Sequence, residues 1–247
     1  MNTGKYTRLE IFSKALQAGG SICVISDDGE CRRFSGGEAY YKWIKVPVAK
    51  NTGYEIFCEN CRVSICYLSG CENILDEGVC YLEQDENGRF VKKDETDWYD
   101  SPIREAYHFT PWKNWINDPN GLCWFQGYYH MFYQFNPHGQ KWSHMYWGHA
   151  ASRDLIHWTH LPVVLEPQEE ILAHPEELAG GAFSGSAVVK GDEVVFYLTR
   201  SQGLPVDGEQ TVQQQWMMKS SDMLHFTEEK LLIGERPSGA SFDFRDP

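Results

Sequence analysis

Apolar and β-branched residues fall along this chain in short alternating runs, separated by Gly, Asn and Asp, and almost nowhere at helical spacing. In the first hundred residues the runs are 21–25, 40–46, 54–58 and 62–68, each of which reads as a strand. One helix is predicted ahead of them, over Arg8–Gln17: Thr7 and Glu10 stand at capping-box spacing, and Gly19 is placed to end it. Beyond residue 100 the strands continue as hairpins. Runs 122–125 and 128–135 flank a Gln126-Gly127 turn, and runs 186–189 and 194–199 flank Lys190–Glu193. Ser152-Arg-Asp-Leu-Ile-His-Trp-Thr159 recurs as Ser220-Ser-Asp-Met-Leu-His-Phe-Thr227, an offset of 68 residues between Asp154 and Asp222. A recurrent all-β unit of that size predicts propeller blades, each making the same turn before its outer strand. His157 and His225 then have a structural role in the turn and need no catalytic one.

Composition divides the chain. Of nine tryptophans, residues 1–100 hold only Trp43 and Trp98, whereas residues 101–158 hold six. Polar stretches at 84–89 and 92–97 have turn and linker chemistry, which sets the expected boundary at about residue 100. The expected fold is all-β throughout: a small β-sandwich-like domain over 1–100, then propeller blades over 101–247. For the first domain, a sugar-binding accessory role and a structural cap both stand open.

A formal net charge of −13 argues against nucleic acid or an anionic membrane as partner, and leaves a neutral saccharide unopposed. No run approaches the ~18 apolar residues of a membrane span. The first residues lack the apolar core of a secretion signal, and seven of the eight cysteines crowd into the first 80 residues without the short-chain pattern of a disulfide framework. The expectation is a cytoplasmic protein with free thiols. Cys58 and Cys61 have zinc-knuckle spacing, but the tight second knuckle of a structural zinc site is missing, so small buried thiols are expected and no metal.

The segment from His108 to Gly121 concentrates the candidate chemistry. Pro119 biases Asp118 towards extended backbone and would present its carboxylate at a strand or loop end, with Trp112 and Trp115 as an apolar wall. A second Asp-Pro stands at Asp246-Pro247, where neighbouring Arg245 is expected to lower the Asp246 carboxyl pKa and keep it ionised. Between them lie Gln134, Trp142, Phe183 and Ser184. Aromatic faces beside amide, hydroxyl and carboxylate groups suit a sugar pocket, and paired carboxylates suit glycoside hydrolysis.

Trp115-Ile-Asn-Asp-Pro-Asn-Gly121 resembles the Trp-Met-Asn-Asp-Pro-Asn-Gly signature of glycoside hydrolase family 32, the invertases, sucrose-6-phosphate hydrolases and fructanases. The segments 147–158, 183–186 and 244–247 resemble further family blocks, in family order. This resemblance implies a five-bladed propeller. It implies Asp118 as the nucleophile of a retaining double displacement on terminal β-D-fructofuranosides, and Asp246 as transition-state stabiliser. Asn117, Gln134, Trp142, Phe183, Ser184 and Arg245 match substrate-contact positions. The implied partner is a small fructose-containing saccharide, and the chemistry needs neither metal nor organic cofactor. The family's Glu-Cys-Pro acid/base motif does not follow Arg245-Asp-Pro247, so the expectation is the N-terminal part of a longer enzyme. A catalytically inactive sugar-binding or interaction module is the alternative.

Overall fold

In the computed structural model, which describes residues 1–94, 96, 100–105, 107–204 and 207–247, the predicted first helix is a strand, β1 (Arg8–Ala15). It runs between two neighbours, β4 (Lys42–Pro47) and β6 (Cys61–Ser69), and Leu9, Ile11 and Phe12 are fully buried. The would-be capping residues serve the sheet. The Thr7 hydroxyl donates to the Gly70 carbonyl (2.7 Å), and buried Glu10 accepts from the Ser69 (2.6 Å) and Tyr67 (3.2 Å) hydroxyls. Burial on both flanks outweighs a local capping preference of about 1 kcal/mol.

The chain divides into two compact units, Met1–Lys113 and Asn114–Pro247. The first holds a five-stranded antiparallel sheet of order β4-β1-β6-β7-β8, with β7 at Cys80–Gln84 and β8 at Phe90–Lys92. Its second sheet has order β3-β2-β5, formed by β2 (Ser21–Ser26), β3 (Cys31–Ser35) and β5 (Tyr54–Glu59). A one-turn helix, α1 (Ile74–Glu77), links β6 to β7. An aromatic row crosses the larger sheet: Phe12 to Trp43 (4.8 Å), Trp43 to Tyr67 (5.5 Å), Tyr67 to Tyr81 (5.7 Å) and Tyr81 to Trp112 (4.6 Å, near-parallel). This row explains why the division falls later than the composition shift near residue 100. Trp112 stacks on Tyr81, its indole N–H donates to Glu83 (3.0 Å), and Lys113 pairs with the same carboxylate (2.8 Å). Trp98 lies outside the described residues.

The thiol expectation is corrected at one pair: Cys23 and Cys31 form a disulfide. The β2–β3 register sets Ile25 opposite Cys31, so Cys23, two residues away on the same face, lies diagonally across from it. Cys58, Cys61, Cys66, Cys71, Cys80 and Cys123 are free thiols. Burial pushes the Cys58 and Cys123 thiols up to about 11, which keeps them protonated and unreactive at neutral pH.

The second unit is two successive four-stranded antiparallel blades. The first comprises β9 (Trp115–Phe125), β10 (Tyr128–Asn136), β11 (His144–Ser152) and β12 (Trp158–Leu165); the second comprises β13 (Ala179–Lys190), β14 (Glu193–Leu204), β15 (Asp207–Ser220) and β16 (Lys230–Ile233). A short parallel pairing, His144 with Gly180 and Met145 with Gly181, joins them, and α2 (Glu169–Ala173) lies in the connection. Phe132, Trp147, Phe196, Leu198 and Met218, all essentially inaccessible, form one core cluster drawn from both blades. The Gln126-Gly127 turn has φ positive at both residues (48° and 87°), the backbone that a two-residue hairpin requires.

The sequence echo is a repeated turn between the third and fourth strand of each blade. Ser152 Oγ accepts from the Leu155 N–H, and Asp154 Oδ1 accepts from the Ile156 and His157 N–H groups. Ser220 and Asp222 repeat these bonds to Met223, Leu224 and His225. His157 and His225 each close the turn on its aspartate at 2.7 Å. Both histidines are structural.

Each blade also carries a β-bulge in its first strand. Pro119 pairs with Tyr133 and Ile116 with Phe135, so Asn117 and Asp118 together oppose Gln134. Ala182 pairs with Arg200 and Gly185 with Leu198, so Phe183 and Ser184 together oppose Thr199. A bulge of this kind re-aims side chains out of the regular alternation. Asp118 therefore sits inside a strand, and not at a strand or loop end.

Two outcomes follow. Thiol titration of the denatured, unreduced chain should find six free cysteines, and peptide mapping should recover Cys23 bridged to Cys31; eight free thiols would remove the bridge. Gly121 has φ of +52°, and a Cβ there would meet the Phe132 and Phe196 rings at 3.0–3.2 Å. Gly121→Ala should therefore cost about 2–4 kcal/mol in denaturant unfolding, from backbone strain plus overpacking. Gly127→Ala, in open space, should cost only about 1 kcal/mol.

Candidate active site

The two bulges bring most of the predicted residues to one place. Ser184 Oγ donates to Asp118 Oδ2 at 2.8 Å, across from one blade to the other. Asn117 and Asp118 are solvent-exposed, while Phe183 and Ser184 are half-buried. Trp142 is half-exposed and meets the Phe183 ring edge-on at 6.4 Å between centroids, so the two present an aromatic corner near Ser184. An accessible carboxylate beside a hydroxyl, an amide and apolar ring faces is the chemistry that a sugar ring needs.

Gln134 lies directly opposite the Asn117–Asp118 bulge. It is buried, and its amide nitrogen donates to the Ala182 carbonyl (2.8 Å) and to the Asn120 side-chain oxygen (3.1 Å). Both its amide hydrogens are engaged inside the protein. Trp112 is absent from the wall foreseen around Asp118, since its ring stacks on Tyr81 in the first unit. Trp115 is half-buried, and its backbone N–H donates to the Gly139 carbonyl (2.9 Å).

Asp246 reaches the site through a second anchor. Thr199, the residue opposite the β13 bulge, donates from Oγ1 to Gln215 Oε1 (2.8 Å) and accepts from the Asp246 backbone N–H (3.1 Å). Gln215 Nε2 in turn donates to the Phe244 carbonyl (2.7 Å). These bonds hold Asp246 at φ of +64°, a backbone region that a non-glycine residue rarely adopts.

The expected effect of Arg245 is reversed in balance. Burial pushes the Asp246 carboxyl pKa above its ordinary value; Arg245 lowers it, and the negative charges of Asp118 and Asp243 raise it further. Arg245 Nε stands 3.7 Å from Asp246 Oδ2, while its NH1 hydrogen-bonds Asp243, so its charge is shared. The influence of Asp118 shows that the two candidate carboxylates lie within electrostatic reach of one another.

Four residues of the site were assigned no role from the sequence: Asn120, Trp147, Thr199 and Gln215. All are buried and act through hydrogen bonds to the exposed groups. Asn120 and Trp147 belong to quoted motifs. Thr199 and Gln215 are ordinary strand residues whose roles appear only once the bulge register is known. Among the described residues no group of three or more His, Cys, Asp or Glu side chains is arranged to hold a metal ion.

Residues 108–247 match the family model described as the glycosyl hydrolases family 32 N-terminal domain. The chain is 50% identical to a levanase of Bacillus subtilis over 95 residues, which is 38% of this chain and 13% of the levanase. It is 38% identical to a sucrose-6-phosphate hydrolase of Zymomonas mobilis over 153 residues, covering 62% of this chain and 28% of that enzyme. Among solved structures, a glycoside hydrolase family 32 protein from Bifidobacterium adolescentis superposes with a TM-score of 0.88 at 34% identity. That match takes in 99% of this chain, including the first unit, to which the sequence motifs assigned no counterpart, and 41% of the other. The chain thus spans well under half the length of each of these relatives.

The raised Asp246 carboxyl generates a stability prediction. A carboxyl whose folded pKa exceeds its unfolded value stabilises the fold below the unfolded pKa, and that contribution is lost as pH rises through the folded one. Asp246→Asn removes the charge and leaves the backbone N–H to Thr199 in place. It should raise the thermal midpoint at pH 7, and the gain should vanish below about pH 4, where the wild-type group is protonated too. A lower midpoint for the variant at pH 7 would contradict this balance.

Proposed function

The chain belongs to glycosyl hydrolases family 32, and from that premise we propose that it supplies the nucleophile half of a retaining fructoside hydrolase. Its site would act on the terminal β-D-fructofuranosyl unit of sucrose, sucrose 6-phosphate or a short fructan. The observation that carries this reading is the Asp118 carboxylate, raised into solvent on a bulge. Its Oδ2 accepts from Ser184, and its Oδ1 has no hydrogen-bond partner among the described residues. A carboxylate held at one oxygen and open at the other is arranged to attack. Asn117, Ser184, Trp142, Phe183 and Arg245 would surround the sugar, and Asp246 would accept hydrogen bonds from its hydroxyls.

In the first step Asp118 Oδ1 forms a bond to the anomeric carbon while the bond to the leaving group breaks, and the electron pair departs with that group. Water then displaces Asp118 from the anomeric carbon and releases the sugar, its lost proton balancing the one that the leaving oxygen takes up, and two inversions give net retention. The second unit, Asn114–Pro247, is proposed as the catalytic-domain portion and the first, Met1–Lys113, as an accessory β domain. A cytoplasmic location accords with a sucrose 6-phosphate substrate and stays part of the proposal.

β-D-Fructofuranosyl fluoride tests the carboxylate alone, because fluoride leaves without a proton donor. The chain should form a covalent fructosyl adduct that mass spectrometry maps to Asp118. Asp118→Asn, nearly isosteric, should retain the fold and lose the adduct, since the amide is not a competent nucleophile. An adduct on another residue would overturn the assignment. A chain that binds fructose and never forms an adduct would be the inactive sugar-binding module.

A further inference from the structure

We propose that Asn120 and Ser184 are positioning residues: Asn120 fixes the direction of the Ser184 hydroxyl proton, and that proton holds the Asp118 carboxylate in one orientation. The inference rests on the reading of Asp118 as the attacking group, but its geometry stands on the hydrogen bonds themselves.

The buried Asn120 amide is oriented by what surrounds it. One terminal atom faces only donors, the Gln134 backbone N–H (3.3 Å), Gln134 Nε2 (3.1 Å) and Trp147 Nε1 (3.2 Å), so it must be the oxygen. The other faces the Pro119 carbonyl (3.2 Å) and Ser184 Oγ (3.3 Å), so it must be the nitrogen. An NH2 group has two hydrogens, and these two acceptors use both.

Ser184 receives one of them. A serine hydroxyl has a single proton, and with Asn120 donating from one side that proton is directed to the remaining acceptor, Asp118 Oδ2 at 2.8 Å. The direction of donation is therefore set from the interior outward: Gln134 and Trp147 to Asn120, Asn120 to Ser184, Ser184 to Asp118. Its inner members are immobile, since Trp147 is fully buried, Asn120 is 1% exposed and Gln134 4%. Gln134 is further tied to Ala182 (2.8 Å), next to the β13 bulge, and the single indole N–H of Trp147 is shared between the Asn120 oxygen and the Phe183 carbonyl (3.0 Å) within it. Asp118 itself is exposed, so an isolated carboxylate there would rotate among its staggered positions. The relay supplies the constraint that solvent does not.

Carbon–nitrogen and carbon–carbon three-bond couplings to the Asp118 side-chain carboxyl carbon, measured by NMR on the isotope-labelled full chain, read its χ1 rotamer directly. The wild-type chain should show the couplings of one rotamer. Ser184→Ala should lose them in favour of averaged values, and Ser184→Thr, which keeps the hydroxyl, should restore them. Asn120→Asp preserves shape but turns a donor into an acceptor, so it should draw the Ser184 proton inward and average Asp118 although Ser184 is intact. A single Asp118 rotamer in Ser184→Ala, or an averaged one in the wild type, would overturn the relay. If Asn120→Asp fails to fold, the Ser184 pair of variants still decides, because that side chain is half-exposed. A merely structural role would change stability and leave the couplings alone. The readout is also independent of turnover: an ordered Asp118 that never takes up the fructosyl group would overturn the catalytic reading and leave the relay standing.

Discussion

The site depends on a single backbone constraint, two residues set opposite one, applied twice. Regular alternation would turn Asn117 and Asp118 to opposite faces of β9, one of them into the packed interior. The bulge opposite Gln134 breaks that alternation and lets both side chains reach solvent. The bulge opposite Thr199 does the same for Phe183 and Ser184 in the next blade. The lone residue opposite each bulge then becomes the anchor: Gln134 ties into Asn120 and Ala182, and Thr199 into Gln215 and Asp246. Blade repetition thus extends from the turns and the core to the site itself. Asn117-Asp118 and Phe183-Ser184 are the same structural position with different chemistry.

What could be read from the chain follows the range of the forces involved. Strand periodicity and the Ser-x-Asp-x-x-His turn are local, and both blades were legible from them. The Asp118 and Asp246 motifs were legible as short contiguous blocks that resemble family blocks; the left-handed backbone of Asp246, φ +64°, was not, because it depends on the bond to Thr199. Nor was the first strand. Thr7 and Glu10 carry a helix-start pattern, and only long-range pairing with residues 42–47 and 61–69 turns Glu10 into a buried acceptor for Ser69 and Tyr67. The Cys23–Cys31 bridge was hidden likewise, because it depends on strand register and not on spacing. The burial of Gln134 was hidden for a related reason: a motif names the residue but not the side to which the sheet turns it.

Electrostatics shows what this arrangement costs. Asp243 and Asp246 share the Arg245 guanidinium, and the charge of Asp118 reaches Asp246, in a chain that already carries a net charge of −13. Burial raises the Asp246 carboxyl against ionisation, and the charges of Asp118 and Asp243 add to it. No interaction within the cluster offsets this fully, because Arg245 divides its charge between Asp243 and Asp246. The offset comes from outside it, in neutral hydrogen bonds from buried amides and hydroxyls that fix backbone and side-chain direction without adding charge. Asn120 and Gln134 act on Asp118 through Ser184, and Thr199 and Gln215 hold the backbone that carries Asp246. Neutral anchoring thus fixes the site from the interior and leaves the Asp118 carboxylate open at one oxygen.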